Sequence, residues 1–149
     1  MSLRPEALIA GLDPGRSKCG LVLANPRDAW IMAAAILAPQ ESGMLLQRWQ
    51  HQGLQRVVLG NGTGSGAWQS SLEDRGLRVL LAEERGSTLA ARGRYWQLDG
   101  RRSWRRWLPA GLRLPPRDLD DVVAQLLLER MLGHPLERDG QLPVWRTLP

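Results

Sequence analysis

A mixed α/β sheet with helices on its faces is the fold class this sequence predicts, and three observations predict it. Residues 7–37 hold three short apolar runs separated by turn signals, the pattern of strands joined by hairpins. Residues 41–98 alternate helical stretches with compact apolar runs, the pattern that calls for parallel pairing. Residues 118–132 close the series with an apolar helix. One five-stranded sheet, three antiparallel strands followed by two parallel ones, satisfies both kinds of pairing.

The elements follow in order. Ala7 to Leu12 is an apolar run that enters a tight turn at Asp13-Pro14-Gly15, and Cys19 to Ala24 resumes as a second strand. Asn25-Pro26-Arg27-Asp28 is another turn. Ala29 to Leu37 is a third strand, although its alanines leave a helix open. Glu41 to Gln52 places Met44, Leu45 and Trp49 on one helical face and stops at Gly53. Gln55 to Leu59 is a buried-strand run that leads into the glycine-rich stretch Gly60 to Gly66, read as a plain turn because it lacks the Lys-[Ser/Thr] of a phosphate-binding loop. A short helix from Ala67 to Arg75 and a strand from Leu77 to Ala82 come next. Ser87 then caps a helix that runs to Leu98. Asp118 to Leu132 is the final helix, opened after two prolines and closed at Gly133. Residues 133–149 read as a surface-hugging tail.

Length and composition bound the function. At 149 residues and 43% hydrophobic content, the chain builds one domain, 1–149, with an ordinary core. It has no apolar run of the ~18 residues that span a bilayer and no signal-peptide pattern, so a cytoplasmic location is expected. One cysteine, Cys19, leaves no internal disulfide and no cysteine-based zinc site. His51 and His134 share no ligand spacing and are read as surface residues. The net charge is +5, and it is unevenly spread. Residues 85–117 carry nine arginines against Asp99 alone, a segment of +8 that leaves the rest of the chain at −3.

Acidic residues fall where strands end and a helix begins. Asp13 ends the first strand, Glu84 follows the last, and Asp118 and Asp121 open the final helix. If the first strand is central, these positions converge. Carboxylates brought together raise each other's pKa unless a cation lies between them. An all-oxygen set suits Mg²⁺ or Mn²⁺, and two such ions about 4 Å apart activate water and stabilise the leaving oxygen of a phosphodiester. Each acid also has a structural explanation. Asp-Pro-Gly is a common turn, and carboxylates at N-cap and N3 stabilise any helix.

The residues Ile9 to Leu23, I-A-G-L-D-P-G-R-S-K-C-G-L-V-L, resemble the first hairpin of the RuvC and YqgF families of the RNase H-like superfamily. Glu84-Arg85-Gly86-Ser87-Thr88-Leu89-Ala90-Ala91 resembles the YqgF motif Asp-Glu-Arg-x-[Ser/Thr]-Thr-x-x-Ala, with Glu83 in place of the leading aspartate. Asp121-Val122-Val123-Ala124 is similar to the family's final Asp-x-x-Ala helix, and the Asp118/Asp121 spacing matches the paired aspartates of RuvC. Gly60-Asn61-Gly62-Thr63 resembles the matching strand end in the YqgF-like domain of the accessory protein Tex. RuvC carries its glutamate where this chain has Asn61, which weights YqgF above RuvC. The resemblance implies an RNase H-like fold and a two-metal endonuclease that processes rRNA precursors or cuts branched DNA. It implies Asp13, Glu84, Asp118 and Asp121 as the metal ligands and catalytic acids. The Tex-like case implies the alternative, a nucleic-acid-binding module without catalysis.

A basic and aromatic segment, about residues 92–117, departs from the compact YqgF enzyme. It interleaves Arg92, Arg94, Arg101, Arg102, Arg105 and Arg106 with Trp96 and Trp104. Arginine neutralises phosphate and tryptophan stacks on unpaired bases; the same tryptophans also suit anchoring an irregular segment to the core. With Lys18, Arg85 and Thr88 these residues form the expected contact surface for RNA or DNA. A homodimer is the assembly that paired cuts on a junction would require.

Overall fold

The computed structural model describes residues 7–62, 64–84, 87–98 and 117–149, except the side chains of residues 87–89 and 96. Six strands form one sheet in the order β5-β4-β1-β2-β3-β6. They are β1 (Leu8–Asp13), β2 (Cys19–Asn25), β3 (Trp30–Leu37), β4 (Leu54–Gly60), β5 (Arg78–Ala82) and β6 (Val144–Trp145). β1 to β3 pair antiparallel as successive hairpins, while β1–β4 and β4–β5 pair parallel. This is the mixed α/β sheet expected from the sequence, with β1 at its centre.

The alanine-rich third run is a strand, as expected, with Ile31, Ala34, Ala35, Ile36 and Leu37 buried in the sheet. Two departures from the sequence expectation concern the edge and the tail. The sheet has six strands, because β6 adds to β3 in parallel register. Residues 133–149 therefore do more than lie on the surface. Leu136 is fully buried, and Glu137 exchanges backbone hydrogen bonds with Ala29 and Ile31.

The central strands are apolar on both faces because both faces are covered. Leu8, Ala10 and Leu12 of β1, with Cys19, Leu21 and Leu23 of β2, pack against α1 (Pro39–His51) and α2 (Ser65–Asp74). Ile9 and Val22 face the other way, toward α3 (Ser87–Leu98) and α4 (Asp120–Leu132). Two glycines on that second face set how close α4 comes. A Cβ on Gly11 would strike the Ala124 carbonyl, and one on Gly20 would strike the Asp120 carbonyl. The N-terminal turn of α4 thus rests directly on the sheet beside Asp13. Among the described residues, no helix is long and apolar enough to cross a membrane.

Candidate metal centre

Alternation along β1 sends Asp13 to the α4 face, at the end where the parallel strands finish. Glu84 reaches the same place from the end of β5, and the backbone of the neighbouring strand shapes its path. Asn61 N–H donates to the Ala82 carbonyl at 2.9 Å, and Asn61 Oδ1 accepts the Glu84 N–H at 3.2 Å. The Glu84 side chain lies over Gly60 and Gly62, where a Cβ on either glycine would collide with its carboxylate. In place of the plain turn expected, Gly60 and Gly62 form a cradle from which a side chain at either position would displace the Glu84 carboxylate. Asn61, read from sequence as the place where an acid is missing, instead pins the backbone of the acid that is present.

The electrostatics of the pair are unfavourable without a cation. Burial pushes the Asp13 pKa up to about 8, with a hydrogen bond to Glu84 and the charges of Glu84 and Asp120 adding to it. Two ionised carboxylates only accept hydrogen bonds, so a proton must be shared for this one to form. Glu84 Oε1 is buried and has no hydrogen-bond partner. An orphaned oxygen facing a second carboxyl group is what a hard divalent cation would satisfy, and the donor set fits Mg²⁺ or Mn²⁺ in kind. Among the described residues, however, no three His, Cys, Asp or Glu side chains stand together as a metal-ready group.

The head of α4 differs from its sequence reading. The helix begins at Asp120 with Leu119 as N-cap, so Asp118 and Asp121 do not occupy N-cap and N3, and no side chain caps the end. Asp118 is outside the helix and half-exposed; it accepts from Lys18 Nζ at 2.6 Å and from an Arg146 guanidinium nitrogen at 3.1 Å. Those two hydrogen bonds hold its pKa down. Asp121 is fully buried, with one oxygen 2.8 Å from Arg117 and the other 2.7 Å from Arg138. Among the described residues, Asp118 and Asp121 form no group of three acids with Asp13. Asp120 is the α4 acid whose charge reaches Asp13, and it is not among the acids expected from the sequence. Its signal was present in the run Asp118-Leu119-Asp120-Asp121.

The expected contact residues divide three ways. Lys18 bridges Asp118 and, at 3.6 Å, Asp120, so its ammonium sits among the acids. Arg94 is committed inward: its guanidinium binds Glu129 at 2.9 Å and the Leu136 carbonyl at 2.6 Å, joining α3 to α4 and the tail. Its expected place on a nucleic-acid surface would have to be shared with these contacts. Arg92 is half-buried on α3. The side chains of Arg85, Thr88, Trp96, Arg101, Arg102, Trp104, Arg105 and Arg106 lie outside the described residues. Arg117 borders the basic segment and stacks over the Tyr95 ring at 5.4 Å while binding Asp121.

No family model matches this chain, and no curated protein matches it. Among solved structures it is similar to T. thermophilus RuvC in complex with Holliday junction substrate. The identity is 14%, the TM-score is 0.45, and the match covers 84% of this chain and 96% of that one.

Proposed function

We propose that this chain is a Mg²⁺- or Mn²⁺-dependent endonuclease that cleaves phosphodiester bonds in structured nucleic acid, an rRNA precursor or branched DNA. The observation that carries this reading is the meeting of Asp13 and Glu84 at the end of the parallel strands, with a buried Glu84 oxygen that lacks a partner. The acid that reaches Asp13 follows β5, where the YqgF resemblance puts it. Asp13 and Glu84 would hold the cation, and Asp120 contributes negative charge beside them. A divalent ion bound there supplies charge stabilisation for the reacting phosphate and lowers the pKa of a water. The chain itself orients the two carboxylates, through the strand end for Asp13 and through Asn61 and the glycine cradle for Glu84. Paired cuts on a junction would need a symmetric dimer of the chain.

The test is cleavage of pre-rRNA fragments and of four-way junctions, side by side, in Mn²⁺ or Mg²⁺. Asp13→Asn should abolish cleavage and leave nucleic-acid binding intact or stronger, because it removes a ligand and a negative charge. Equal cleavage by the variant and the parent would sink the metal mechanism. One observation favours a second reading, a binding module without catalysis: Asp118 and Asp121 are already neutralised by protein cations. Failure of the parent protein to bind Mn²⁺ at millimolar concentration would select that module.

A further inference from the structure

Five acids lie at or beside this end of the sheet, and their neutralisation is uneven. Asp121 has a guanidinium on each oxygen, from Arg117 and Arg138. Asp118 Oδ2 takes both Lys18 and Arg146, and Asp120 Oδ2 faces Lys18. Every aspartate at the head of α4 therefore faces a cation that the protein provides. Among the described residues, Asp13 and Glu84 have none.

Lys18 is held where it is by the backbone, not by chance of rotamer alone. It ends the short connection from Asp13 to Cys19, and a Cβ on Gly15 would collide with the Lys18 carbonyl. Cys19, the next residue, is buried and opens β2. The ammonium thus projects from a tight hairpin onto the acids of α4, five positions along the chain from Asp13.

We infer that Lys18 takes the place of a second divalent ion: the centre binds a single divalent cation, at Asp13 and Glu84, while the Lys18 ammonium neutralises Asp118 and Asp120. This rests on the nuclease reading above and departs from the two cations that the family resemblance implies. An ammonium has three N–H donors; with two directed at Asp118 and Asp120, the third is left for a non-bridging phosphate oxygen. Lys18 is then a phosphate-positioning residue as well as a counter-charge. A single positive charge stabilises the phosphate less than a divalent ion would, but it is present at any metal concentration.

The number of Mn²⁺ ions bound per chain tests this, measured by calorimetric titration and by electron paramagnetic resonance of free Mn²⁺ on the full chain. The parent should bind one ion. Lys18→Met should bind two, because it frees Asp120 and leaves Asp118 with Arg146 alone, and Lys18→Arg should remain at one. Lys18 is half-exposed, so the substitutions leave the core untouched, and circular dichroism checks the fold. Two ions on the parent overturn the inference and leave the nuclease reading standing. One ion on both the parent and Lys18→Met also overturns it. No ion on the parent overturns the inference together with the nuclease reading.

Discussion

Asp13 is the residue on which pH acts most directly. An unfolded chain releases its proton near the ordinary value of 3.8, whereas in the fold burial and Glu84 lift the pKa to about 8. Between these values the folded protein holds a proton that the unfolded chain has lost. Stability therefore falls as pH rises through that window, and it levels off above about 8. With divalent cations chelated, the melting temperature should drop between pH 5 and pH 8 in the parent, and Asp13→Asn should flatten that slope. Parallel slopes for the two proteins would show that Asp13 titrates normally. Asp118 behaves oppositely at the same end of the sheet, because Lys18 and Arg146 stabilise its ionised form. Two aspartates at one end of the sheet thus have different chemistry, set by which cations the fold delivers.

At the scale of elements, glycine decides how strand and helix meet. Gly20 lets the carbonyl of Asp120 sit on β2, so Gly20→Ala must push the start of α4 away from the sheet. The cost should be roughly 3 kcal/mol, the upper end for forcing a methyl group into a packed interior, read as a shift in urea midpoint. Gly60 does the same for a side chain instead of a helix. Gly60→Ala should displace the Glu84 carboxylate and weaken Mn²⁺ binding roughly 10- to 100-fold, the usual effect of disturbing what orients a ligand. Unchanged Mn²⁺ affinity in a folded Gly60→Ala protein would mean that Glu84 does not bind the ion. The strands themselves were legible in sequence because burial on both faces leaves continuous apolar runs. These glycine contacts were not, since nothing local marks which carbonyl or carboxylate a missing side chain makes room for.

The whole molecule is closed by its last residues. β6 joins the sheet, Leu136 fills the core beneath α4, and the Arg138 side chain, 6% exposed, joins Asp121 at 2.7 Å and Gln125 at 2.8 Å. Arg94 reaches the same region from α3, through Glu129 and the Leu136 carbonyl. α3, α4 and the C-terminal segment therefore share one buried polar network. Breaking a buried ion pair on one side costs roughly 3–5 kcal/mol, because the remaining charge is left uncompensated. Arg138→Ala should fall near the lower end, since Arg117 still binds Asp121. Chemical denaturation checks this; a loss below about 1 kcal/mol, the worth of a surface pair, would show that the tail is only laid on the surface.

The sequence by itself determined the order of β1 to α4, the place of Asp13 at the end of the first strand and of Glu84 after β5, and the α/β class. Apolar periodicity and turn residues act locally, so they can be seen in a single chain. Only the tertiary structure decided which acid of the run 118–121 faces Asp13. Each step along a helix turns a side chain by about 100°, so starting α4 at Asp120 instead of Asp118 redirects all three carboxylates. The contact of α4 with Gly20 and the placement of Lys18, Arg117, Arg138 and Arg146 then settle which acids are neutralised. Those partners lie up to 100 positions away in sequence. Charge pairing across such distances is decided by packing, and no local pattern encodes it.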